Sequence, residues 1–131
     1  MRRFLPVLAA LALLTVAAPA AEAKTRSCAS GDLRYPFEPG GKKTFGVFKL
    51  KATGASCLAA HHAAHAWMAE FEASLRGDGP LELPRTAGGF KWRELQPNAA
   101  QTYRLRGTNG SKRVTFEMLI TEEIRRRQVT P

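Results

Sequence analysis

The clearest pattern in the chain is alternation near its C-terminal end. From Lys112 to Thr121, the residues Val114, Phe116, Met118 and Ile120 fall at every second position, with Thr115 and Glu117 between the first three. This predicts a strand with one buried face. Thr102 to Arg106 repeats the pattern with Tyr103 and Leu105 inward, and Phe90 to Leu95 repeats it with Phe90 and Trp92 inward. Asn109-Gly110 predicts a two-residue type I′ hairpin turn between the last two strands. That turn sets Leu105 opposite Val114 and Tyr103 opposite Phe116, so that all four point into one core.

Further upstream, Thr44 to Ala52 is rich in β-formers, and Lys49-Leu50-Lys51-Ala52 alternates. Phe48, Leu50 and Ala52 are expected on its buried face. Phe45 and Val47 then take the other face, which is therefore not wholly wet. Gly54 supplies a turn, and Ser56 is placed to cap a helix N-terminus. From Cys57 to Leu75 the period changes. At 100° per residue, Cys57, Ala60, Ala64, Met68, Phe71 and Leu75 share one arc, with Trp67 and His61 at its two edges. Arg76-Gly77-Asp78-Gly79-Pro80 stops the helix with a basic last turn, a glycine and a proline. Burying Met68, Phe71 and Leu75 contributes on the order of 5–8 kcal/mol gross.

Leu33-Arg34-Tyr35 reads as a short edge strand, and Gly77–Gly89 and Gln96–Gln101 as loops. The order is strand, helix, then three antiparallel strands. It predicts a two-layer α+β domain, one main helix on an antiparallel sheet of about four strands. That order is similar to the cystatin-like arrangement. The Gln-x-Val-x-Gly hairpin by which cystatins block cysteine proteases has no counterpart here.

The first 23 residues stand apart from this pattern. Arg2-Arg3 forms a basic start, Phe4 to Ala18 an apolar run, and Ala18-Pro19-Ala20 and Ala21-Glu22-Ala23 small-residue sites. This is the pattern of a secretory signal peptide, with cleavage expected after Ala23 or, second, after Ala20. The mature domain is then residues 24–121, followed by a highly charged tail, 122–131. Removing Arg2, Arg3 and Glu22 leaves 18 basic against 10 acidic residues, a net charge of +8. Cys28 and Cys57 are the only cysteines. In an oxidising destination they are expected to pair rather than remain free thiols.

The basic residues carry the strongest functional signal. Lys91, Arg93, Arg104, Arg106 and Arg113 take the outward positions of the three later strands, and Lys49 and Lys51 join them from the first. Such a sheet face attracts polyanions, including anionic cell-envelope polymers. Base stacking on nucleic acid needs exposed aromatics beside the arginines, whereas Phe90, Trp92 and Tyr103 alternate inward. The plain alternative is an arginine-rich solvated surface.

Catalytic constellations are sparse. His61 and His65, four apart on the helix, are weak candidates for metal ligands. In the zincin pattern they mimic, His62 stands where the glutamate belongs. Glu72 lies about 10.5 Å further along the helix than His65, too far to share a site. No G-x-S-x-G nucleophile elbow is present, and no phosphate-cradling glycine loop precedes a helix. These readings leave no catalytic residue, cofactor or metal to assign.

Two short motifs, Gly54-Ala55-Ser56-Cys57-x-x-Ala60 and Gly110-Ser111-Lys112-Arg113-Val114-Thr115-Phe116, carry a resemblance. The chain resembles small exported cysteine-containing proteins of high-GC actinobacteria that have no assigned role. The resemblance implies secretion and fold, and no activity. Many of those proteins carry a second cysteine pair in the later strands, where this chain has Trp92 and Tyr103. The expected function is an exported, non-catalytic binding protein that contacts an anionic envelope polymer or an extracellular protein. The alternative is a secreted protease inhibitor acting through the Gly77–Gly89 or Gln96–Gln101 loop. A hydrolase is disfavoured.

Overall fold

The computed structural model describes residues 24–36, 39–95 and 102–119. The expected signal peptide, the Gln96–Gln101 loop, Ile120 and the charged tail lie outside these residues. The chain forms β1 (Thr25–Ser27), β2 (Arg34–Tyr35), β3 (Phe45–Gly46), β4 (Phe48–Thr53), α1 (Cys57–Arg76), β5 (Thr86–Ala87), β6 (Phe90–Glu94), β7 (Thr102–Asn109) and β8 (Lys112–Leu119). One helix packs on an antiparallel sheet, as the sequence pattern requires, but the sheet has six strands in the order β1-β4-β8-β7-β6-β5. The four expected strands form its centre. The short β1 and β5 extend it at the two edges, and β2 and β3 pair separately.

The hairpin keeps its predicted faces but not its predicted register. Gly110-Ser111 forms the two-residue loop, with Asn109 paired to Lys112. Leu105 therefore faces Phe116, and Tyr103 faces Met118. Of the two loop residues only Gly110 has positive φ, at 58°, the pattern of a type II′ rather than a type I′ turn. Moving the loop by one position shifts the pairing by two residues. Parity is therefore preserved, and the same side chains remain buried.

Strand β4 departs further. Phe48 pairs with Glu117 but Lys51 with Thr115, so three steps on β4 oppose two on β8. This is a β-bulge, with Lys49 at φ 50°. The extra residue lets Val47 reach the core along with Leu50 and Ala52. It also moves Phe48, expected to be buried, to the outer face opposite Glu117. There Phe48 is half-buried, with the Arg34 guanidinium 4.3 Å from its ring centre.

Ser56 caps α1 as expected, its hydroxyl accepting from the Ala59 N–H at 3.1 Å. The buried positions of the helix are Ala60, Ala63, Ala64, Trp67, Met68 and Phe71. Relative to the predicted arc the helix is turned by roughly 30°, which moves Trp67 from the edge to the centre and Leu75 from the centre to the edge. The indole is the largest apolar group on the helix, so its burial dominates the choice of face. Trp67 stacks on Phe71 at 5.0 Å and meets Phe116 edge-on at 5.4 Å.

Gly77–Gly89 is not all loop. Leu81 is buried, the Trp67 Nε1–H donates to the Pro84 carbonyl at 3.2 Å, and the Trp92 Nε1–H donates to the Ala87 carbonyl at 3.0 Å. Gly107, opposite Trp92 across the sheet, makes room for that indole. A Cβ at residue 107 would lie 2.8 Å from two ring carbons of Trp92. Gly107→Ala is expected to destabilise the fold by about 1–3 kcal/mol through overpacking. Chemical denaturation of the two proteins checks this, and an unchanged midpoint would mean that the indole can move aside.

Candidate functional site

The outer face of the sheet is built by strand parity. With aromatic and aliphatic side chains turned toward α1, the intervening residues of β4, β6, β7 and β8 stand on the opposite surface. The register then arranges them in rows across the strands. One row runs Arg93, Arg106, Thr115, Lys51. The next runs Lys91, Thr108, Arg113, Thr53. A third contains Arg104 and Glu117. The five residues singled out in the sequence, Lys91, Arg93, Arg104, Arg106 and Arg113, thus share one surface with Lys49 and Lys51.

Two shallow grooves cross this surface. One, of about 230 Å³, includes Lys49, Lys51, Arg104, Arg106 and Arg113 in its walls. The other, of about 370 Å³, is lined by Lys91, Trp92, Arg93, Arg106, Thr108 and Arg113. Arg106 and Arg113 border both. Among the described residues, Glu117 is the one carboxylate in the walls of either groove. It lies 3.3 Å from the Lys49 Nζ and 3.8 Å from the Arg104 Nε, so those two charges are partly offset. Arg106 is the half-buried member of the set. Burial, and then the like charges of Arg113, Arg93 and Arg104, hold its guanidinium below the usual arginine range.

The two cysteines form the expected disulfide, with a Cα–Cα distance of 5.3 Å. It ties the end of β1 to the first residue of α1. A search of protein-family models, curated proteins and solved structures found no match to this chain. The chemistry of the grooves therefore rests on their own residues.

The histidines lie on the helix side. His61 Nε2 is 2.6 Å from Asp32 Oδ2, a pairing invisible in the sequence because the partners are 29 residues apart. They line a cleft of about 490 Å³ with His62, His65, Tyr35 and Glu72, floored by Leu33 and Met68. The Tyr35 hydroxyl donates to Glu72, and burial raises the Glu72 carboxyl above its usual range against the opposing pull of Arg76. Among the described residues no three His, Cys, Asp or Glu side chains gather as a metal site.

The hydrogen bond from His61 holds the Asp32 carboxyl below the usual carboxylate range. A carboxyl depressed by folding stabilises the native state above its unfolded pKa, and that contribution is lost as pH falls through the folded value. His61→Ala is expected to return Asp32 toward the ordinary range, read from its side-chain carbon shift during an acid titration. An unmoved Asp32 midpoint would show that the contact is absent in solution.

Proposed function

We propose that the chain is an exported, non-catalytic binding module that docks on polyanions through the outer face of its sheet. The observation that carries this reading is the concentration of like charge. Among the described residues, seven basic side chains (Lys49, Lys51, Lys91, Arg93, Arg104, Arg106 and Arg113) line the two grooves with Glu117 as the single carboxylate. Acidic side chains gather elsewhere. Asp32 and Glu72 line the cleft beside the histidines, while Glu70, Glu82 and Glu94 line another together with Arg85 and Arg93. The excess of positive charge over carboxylates in the two grooves would present the sheet to an anionic surface. An anionic cell-envelope polymer is the partner that suits an exported domain.

Export is supported by the signal-like N-terminal sequence, the motif resemblance and the disulfide, a bond favoured in oxidising compartments. Among the described residues no helix is long and apolar enough to cross a membrane.

The test is retention on a heparin column. Arg93→Glu with Arg113→Glu leaves the Arg104–Glu117 contact intact and sets a carboxylate opposite Arg106. The double variant is expected to elute at clearly lower salt than the parent. Retention of the parent should collapse as the Debye length falls from about 10 Å at 0.1 M to about 3 Å at 1 M salt. Equal elution of the two proteins would reduce the face to a solvated surface.

A further inference from the structure

Charge alone does not account for Arg106. Its Nε is shut off from solvent, and among the described residues it has no hydrogen-bond partner. Buried polar nitrogens are nearly always satisfied, and a guanidinium can donate but cannot accept. Among the described residues that line its two grooves, every charged group but Glu117 is basic. Arg93 stands directly opposite on β6, Arg104 lies two residues back on β7, and Arg113 lies two residues before Thr115, the residue facing Arg106 on β8. Glu117, the nearby carboxylate, is engaged by Lys49 and Arg104. The centre of the face is therefore a cluster of like charges with threonine hydroxyls beside it and, among the described residues, no carboxylate other than the engaged Glu117.

We infer that Arg106, Arg93 and Arg113 form a seat for one phosphate monoester group, the specific element within the polyanion-docking face. This rests on the proposed docking function of the same surface and names the chemistry it reads. A phosphate monoester carries close to two negative charges at neutral pH and three acceptor oxygens. It can take donors from three guanidinium groups while offsetting their mutual repulsion. A carboxylate has one charge and two oxygens, and would leave one arginine unmatched. Arginine in place of lysine suits this task, because the planar fork binds such oxygens in a fixed geometry. The downward shift of Arg106, from burial first and then from Arg113, Arg93 and Arg104, agrees with a site of like charges.

The decisive comparison is Arg106→Lys, which keeps the charge but removes the fork and the Nε donor. Inorganic phosphate, titrated at constant ionic strength, is expected to shift the Arg106 Nε–Hε resonance of the parent, and sodium acetate is not. The affinity of Arg106→Lys for phosphate, read by calorimetry, is expected to fall at least tenfold, while its elution from heparin stays with that of the parent. An equal response to acetate, or unchanged phosphate affinity in Arg106→Lys, overturns the seat and leaves the docking function standing. Loss of heparin retention in Arg106→Lys also overturns it, since diffuse charge would then depend on the same geometry. Glucose 6-phosphate and phosphatidic acid vesicles distinguish the source of the group. Binding of either one, lost in Arg106→Lys, supports the seat, and binding of neither overturns it.

Discussion

Trp67→Ala is expected to lower stability by about 3–5 kcal/mol, the range for removing a fully buried tryptophan. The side chain is 0% exposed and holds four parts of the core together. It stacks on Phe71 within the helix, meets Trp92 at 6.5 Å and Phe116 at 5.4 Å across the sheet, and fixes the 81–85 segment through its bond to the Pro84 carbonyl. Truncation loses the transfer energy of the ring, opens a cavity between the two layers and leaves that carbonyl without its donor. Small domains have about 5–15 kcal/mol of stability, so the variant should be largely unfolded well below the parent's midpoint. A loss of 1 kcal/mol lowers the midpoint of a domain of this size by about 4–8 °C. A thermal scan showing a drop of only a few degrees would mean that the core closes over the missing ring. Trp67→Phe keeps an aromatic plane against Phe71 and should recover part of the loss, the remainder reflecting the Pro84 bond and the smaller ring.

Replacing both cysteines by serine is expected to cost roughly 3.5 kcal/mol, the chain-entropy value for a loop of this length. The bond joins residues 29 apart in sequence. The loop it closes contains the two-stranded β2–β3 unit and β4 before reaching the helix. Without it, the unfolded chain regains the freedom of that whole segment, while β1 keeps only its three-residue pairing with β4 and the bond from the Cys28 N–H to the Leu50 carbonyl at 2.8 Å. Denaturant unfolding of the oxidised protein and of the Cys28→Ser, Cys57→Ser variant measures the difference. Equal stability would mean that the native contacts around Leu33 and Phe45 already restrict the denatured chain.

The sheet centre and the helix were legible because their buried residues recur with a fixed period over six or more positions. Val114, Phe116 and Met118 fix one face of β8 whatever the turn does, and this is why the register could move without changing which residues are buried. The parts that escaped the pattern are short or break phase. β1 and β5 have three and two residues, too few for alternation to show. The β4 bulge did leave a trace, since Phe45 and Val47 have one parity and Leu50 and Ala52 the other. Burying both sets requires an extra residue between them, and Lys49 is that residue.

The basic face was legible for the same reason as the core, as its complement in the alternation. What the sequence did not contain was the ranking among the arginines. Arg104 is tempered by Glu117, a pairing set by the β7–β8 register, which the predicted turn placed differently. Arg106 is distinguished by a nitrogen closed off from water, a property of packing that no spacing rule expresses. The Asp32–His61 pair likewise arises because the turn after β1 returns beside the first coil of the helix.

The placement of Cys28 also governs how the domain bears mechanical load. β1 is an edge strand, and tension applied at Thr25 can peel it away from β4 one pair at a time, beginning with Thr53 and ending at Lys51. Immediately beyond Ser27 the pull meets a covalent link to Cys57, at the first residue of α1. Further extension must then drag the helix off the sheet, with Trp67 and Phe71 resisting together rather than in sequence. In the oxidised state the domain should therefore yield a few residues of slack at low force and then hold, whereas reduction should let the unravelling continue into the β2–β3 unit.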